Sequence, residues 1–173
     1  MRVLLICGST RDGSSNALAL RTLHELEIPD ISTDYYTGLR EIPAFVPDMH
    51  PVPAAVRDLL SRTAAADAVM FSTPEYAGGL PGALKNLLDW TVGGGELYRK
   101  RAAWIDVAHP GRGQGARAQL QTVLGYVGAR VITPACVHVT LHRSDSGVTL
   151  AESAKQELAT AVAALVAAAE EDT

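Results

Sequence analysis

Residues 2–16 read RVLLICGSTRDGSSN. After Arg2 the run to Cys7 is apolar throughout, the pattern of a strand covered on both faces of a sheet. Small polar residues follow, and then Asn16–Leu26 carries Leu18, Leu23 and Leu26 at helical spacing up to the break at Pro29. The same succession returns along the chain. A second strand is expected over Ile31–Tyr36, and a proline-rich connection runs from Thr37 to Pro53. A helix over Ala54–Ala66 carries the stripe Val56, Leu59, Leu60, and a buried strand follows over Ala68–Ser72. A third helix starts at Pro81, a fourth strand spans Ala102–Ala108, and a helix covers Gly115–Val127. A fifth strand over Val131–Val139 and an alanine-rich helix from Leu150 to about Glu170 complete the series. Strand and helix taking turns imply a parallel sheet with helices on both faces, because crossover connections are right-handed. In the five-strand order 2-1-3-4-5, ligands bind beyond the carboxyl ends of the strands, at the switch point between the first and third.

Composition narrows the possible roles. The 173 residues, 47% hydrophobic and 20% charged, suit a single globular domain over 1–173. A net charge of -4 with no basic run is unlike a nucleic-acid binder. The apolar start is too short to span a membrane, and the polar residues after it do not suit a signal peptide, so a cytoplasmic address without membrane attachment is expected. Cys7 and Cys136 form no CxxC and no Cys/His pair at ligand spacing, so both read as small buried hydrophobes and no metal is expected.

Three loops carry chemistry. Gly8–Asn16 has hydroxyl and amide groups on Ser9, Thr10, Ser14, Ser15 and Asn16 and a cation on Arg11, all at the start of a helix, which is an anion cradle. Its bland reading is a helix cap. It lacks the lysine of a Walker loop and the G-x-G-x-x-G of a dinucleotide site. Residues 74–90, PEYAGGLPGALKNLLDW, follow the third strand. There Pro74 and Pro81 bracket a short loop, and Gly78 and Gly79 leave room for backbone to approach a flat ring. Leu84, Leu87 and Leu88 read as core, and Lys85, Asn86 and Asp89 as the polar face of that helix. The third loop, His109–Gly115 (HPGRGQG), should reach the same edge after strand four. Together the loops suggest a ligand with a phosphate at one end and a conjugated ring at the other.

The pair GSTRDGSSN and PEYAGGLPGALKNLLDW resembles the NADPH-dependent FMN reductase family, flavodoxin-like enzymes that include quinone, azo-dye and chromate reductases. The resemblance covers essentially the whole chain. It implies a flavodoxin-like three-layer sandwich, with Ser9, Arg11, Ser15 and Asn16 on the FMN phosphate. Pro74, Glu75, Tyr76, Ala77 and Gly78 would line the ribityl chain and isoalloxazine, and Gly111, Arg112 and Gly113, with His109 at the rim, would complete the ring pocket. The family usually has a small hydroxyl residue at the start of the third loop, where this chain has Ala108 and His109. By the same resemblance, NADPH or NADH gives hydride to FMN and a quinone, free flavin or similar small acceptor takes it in ping-pong exchange. No catalytic side chain is needed, because the flavin carries the chemistry. A homodimer or homotetramer is implied, and GGGELY at 93–98 reads either as a rim or interface element or as an ordinary loop. The alternatives are a flavodoxin-type electron carrier working with a partner protein, or a hydrolase or nucleotide module. The last lacks a G-x-S-x-G elbow as well as a Walker loop.

Overall fold

The computed structural model describes residues 1–144, 147–151 and 153–170. Its elements are β1 (Arg2–Cys7), α1 (Ser15–Glu25), β2 (Ser32–Tyr36), α2 (Ala54–Ala65), β3 (Ala68–Ser72), α3 (Gly82–Trp90), β4 (Arg101–Asp106) and α4 (Gln114–Tyr126). They continue with β5 (Arg130–Val131), β6 (Val137–His138), β7 (Leu141–Ser144), β8 (Gly147–Leu150) and α5 (Ala154–Glu170). The main sheet has the expected order β2-β1-β3-β4-β5, and its pairings are parallel.

Side chains alternate across β1, and both faces are buried. Val3 and Leu5, with Met70 and Ile105, pack under Leu20 and Leu23 of α1 and Leu158 and Val162 of α5. Leu4 and Ile6, with Val69 and Phe71, pack under Leu59 of α2, Leu84 and Leu87 of α3, and Leu120 and Leu124 of α4. Two covered faces are why β1 and β3 read as unbroken apolar runs. The edge strand β2 is polar instead. Its Asp34 binds Arg2 of β1 at 2.7 Å and Arg62 of α2 at 2.9 Å.

Two expectations need correction. The single fifth strand over Val131–Val139 is split into β5 and β6 by a 3-10 turn at Thr133–Ala135. Pro134 has no N–H to carry the ladder on, and β6 resumes the pairing with β4 further along, through Ile105 and Asp106. The last helix begins at Ala154, not Leu150, because Leu150 belongs to β8, which pairs antiparallel with β7.

One buried polar link ties the layers together where the ligand edge begins. The Ser72 hydroxyl, at the end of β3 and fully buried, shares its proton between Asn16 Oδ1 of α1 at 2.9 Å and the Ile105 carbonyl of β4 at 2.8 Å. Removing it leaves the buried Asn16 amide short of a partner. Ser72→Ala is expected to destabilise the protein by about 1–3 kcal/mol, the cost of an unsatisfied buried polar group. Urea denaturation measures this, and an unchanged midpoint would contradict the link.

Candidate functional site

An open cleft of about 360 Å³ lies beyond the carboxyl ends of β1, β3 and β4 and is walled by the three loops. The first two loops touch at Gly8. A side chain there would begin 2.4 Å from Thr73 Oγ1 and 2.8 Å from Leu84, so only glycine lets the loops come this close. Downstream, Ser9 Oγ accepts from the Arg11 N–H at 3.2 Å, and Ser14 caps α1 by accepting from the Ala17 N–H at 3.1 Å. The first-turn N–H groups of Ser15 and Asn16 and the Arg11 guanidinium have no partner among the described residues. The loop therefore offers free donors and one free cation where the dipole of α1 is positive.

The second loop closes on itself. Tyr76 and Gly79 exchange both backbone hydrogen bonds, at 3.0 and 3.1 Å, around Ala77 at φ 50° and Gly78 at φ 78°. Two positive φ values at the corners are the type I′ pattern. The closed turn then docks on α4. Glu75 Oε2 accepts from the N–H groups of Gly115 at 2.7 Å and Ala116 at 3.2 Å, and Gln119 Oε1 accepts from the Leu80 N–H at 2.8 Å. Gly115 is needed for this contact, since a Cβ there would sit 2.1 Å from the Gly78 carbonyl oxygen. Glu75 thus spends its charge on the positive end of α4.

The third loop turns at Pro110–Gly111, with the Arg112 N–H donating to the His109 carbonyl at 2.9 Å and Gly111 at φ 80°. Asp106, at the end of β4, fixes its start by accepting from the Ala108 N–H at 2.9 Å and pairing with Arg117. The exposed side chains of His109 and Arg112 have no partner among the described residues. Cys7 lies beneath the first loop, and burial pushes its thiol up from the ordinary range, so it stays protonated. Burial likewise raises Cys136.

Ser9, Arg11, Ser15, Asn16, Pro74, Glu75, Tyr76, His109, Arg112 and Gly113 line the cleft. Ala77, Gly78 and Gly111 lie at positive-φ corners of the turns beside it. Gly79 makes room for Gln119. The Asn16 side chain is turned into the sheet, leaving its N–H for the cleft. Sequence reasoning passed over Thr73 and Val107 as lining residues, although their positions just beyond β3 and β4 were the available signal. The 93–98 segment does not line the cleft, and its Leu97 is buried in the core. Ala77 is the one non-glycine residue in the strained corner pair of the second loop, and its side chain is exposed. Asparagine tolerates this conformation better, so Ala77→Asn is expected to raise stability by up to about 1 kcal/mol, or about 2–4 °C in Tm. A thermal melt checks it, and a lower Tm would contradict the turn assignment.

Comparison with known proteins bears on this site. The NADPH-dependent FMN reductase family profile matches residues 1–144. The chain is 37% identical over 122 residues to an NAD(P)H-dependent FMN reductase of Pseudomonas aeruginosa, covering 69% of this chain and 65% of that one. It is 33% identical over 93 residues to a quinone reductase of Escherichia coli, covering 52% of this chain and 50% of that one. These alignments therefore span about half to two thirds of the relatives' lengths. The solved structure of a flavoenzyme NAD(P)H:(acceptor) oxidoreductase from Paracoccus denitrificans superposes with a TM-score of 0.76 at 25% identity, covering 98% of this chain and 97% of that one. With the flavodoxin-like sheet and the cleft at its switch point, these matches place the chain in one family: it belongs to the NADPH-dependent FMN reductases.

Proposed function

We propose that the cleft binds FMN and that the protein is an NAD(P)H-dependent oxidoreductase reducing a quinone, free flavin or similar small acceptor. One observation carries the reading: a guanidinium and a helix start without partners among the described residues stand at one end of a cleft whose other wall is a docked turn. The residues present fit the cofactor. Arg11, Ser9 and the N–H groups of Ser15 and Asn16 would hold the phosphate, as charge-assisted bonds at a helix N-terminus. Pro74, Glu75 and Tyr76 would flank the ribityl chain and one side of the ring. His109, Arg112 and Gly113 would close the other side, with Ala77, Gly78 and Gly111 setting the shape of the turns. Bound FMN supplies the hydride-accepting and hydride-donating centre.

The protein's own work is then to position and to shield. The Glu75 and Gln119 contacts keep the ring-side turn from moving when substrates exchange. Tyr76 and His109, both exposed at the mouth, would form the edge past which the nicotinamide and then the acceptor enter. A flavodoxin-type carrier using the same cleft would need a partner protein for turnover, which steady NADPH oxidation by the isolated protein would exclude. We further read residues 1–173 as one FMN-binding domain acting in the cytoplasm as a homodimer or homotetramer, with no metal, membrane or nucleic-acid partner.

Arg11→Ala is expected to weaken FMN binding about ten- to a hundredfold, or about 1.5–3 kcal/mol, while riboflavin binding changes little. Equal losses for both flavins in a fluorescence titration would remove Arg11 from the phosphate. With NADPH and a quinone, double-reciprocal plots are expected to give parallel lines as the second substrate is varied. His109→Ala is expected to alter the KM for quinone while changing the rate of flavin reduction by NADPH less than about tenfold. A loss of several orders of magnitude in that half-reaction, with FMN still bound, would make His109 a chemical participant.

A further inference from the structure

The anion loop contains an acid. Asp12 follows Arg11 directly, and a carboxylate in the loop that would hold a phosphate opposes binding by like charge. The answering cation comes from another part of the chain. Arg40 stands in the 3-10 turn Gly38–Glu41 after β2, and its neighbour Leu39 is buried in the core, which fixes the base of the arginine side chain. Arg40 Nη2 lies 3.0 Å from Asp12 Oδ1, and the same nitrogen donates to the carbonyl of Thr10. Arg40 does not line the cleft, so it touches the loop from the outer side.

The bond to Thr10 has a directional consequence. The C=O and N–H of one trans peptide point opposite ways. Pinning the Thr10 carbonyl outward turns the N–H of Arg11 the other way, where Ser9 Oγ accepts it. That N–H belongs to the residue carrying the loop's free guanidinium. Arg40 therefore sets the orientation of the Thr10–Arg11 peptide and cancels the charge of Asp12 in the same contact.

We propose that Arg40 is a positioning residue for phosphate recognition: it holds the 9–13 loop in its anion-binding shape and neutralises Asp12. The inference rests on the reading of the cleft as an FMN site. The pair is exposed, with side-chain accessibilities of 50% for Arg40 and 94% for Asp12, so it adds little to folding stability. Its effect belongs in ligand affinity, and there only for a ligand with a phosphate.

The test is titration of flavin-free wild type, Arg40→Ala and Arg40→Lys with FMN and with riboflavin, at low salt and at about 0.5 M salt. Arg40→Ala is expected to raise the Kd for FMN about three- to tenfold at low salt, leave riboflavin within about twofold, and leave the Tm of the flavin-free protein within about 2 °C. The loss should shrink at high salt, where the charge of Asp12 is screened, and Arg40→Lys should fall between wild type and Ala. Asp12→Asn added to Arg40→Ala should recover part of the loss. Equal weakening of FMN and riboflavin, or unchanged FMN affinity, overturns the inference while leaving the FMN site standing. Failure of the wild type to bind FMN at all overturns the parent reading, and this inference with it.

Discussion

The Glu75 carboxylate on the N-terminus of α4 is the contact on which the arrangement of the cleft depends. It joins the loop after β3 to the helix after β4, two segments the sheet alone would leave independent. Its charge and the helix dipole satisfy each other, so neither is left over to repel or trap a ligand. The geometry tolerates this only because Gly115 has no side chain to meet the Gly78 carbonyl. On the opposite wall Gly8 plays a matching part against Thr73. The cleft is thus framed by two places where neighbouring groups come closer than an added side chain would allow.

The sheet and its order were legible because both faces of β1 and β3 are buried, which leaves an unbroken apolar signature in the sequence. The location of the cleft followed from topology and from the polar loop after β1. What escaped was decided by contacts between distant residues. The docking of Glu75 on α4 left no local trace because its partners, Gly115 and Ala116, lie 40 and 41 positions away. At Gly78 a turn conformation and at Gly79 the approach of Gln119 call for glycine, and neither is visible in the sequence alone. Pro134 did carry a local warning of a broken strand, which the surrounding β-branched residues outweighed. The β7–β8 hairpin was hidden because Leu150 also fits the start of a helix.

The side chains of the cleft divide by whether they are already engaged. Glu75 and Asn16 have partners within the protein, and their contribution is to hold other groups still. Arg11, Arg112 and His109 have none among the described residues. A flavin performs its own hydride chemistry, so a site built on it needs few titratable groups and much rigidity. The cleft has that balance: its walls are capped, docked and closed on themselves, and the side chains left unpartnered among the described residues stand at its rim.

The polar edge of the sheet has a bearing on how copies of the chain can meet. Among the described residues β2 pairs only with β1, so its outer side presents backbone groups with no strand partner there, the kind of edge that recruits a further strand from another molecule. Its sequence, STDYY, sets a carboxylate in the middle of that edge, and Asp34 is held there by Arg2 and Arg62. A strand arriving alongside would have to displace or accommodate this charged cluster. Sideways addition of a further strand at this edge is therefore disfavoured.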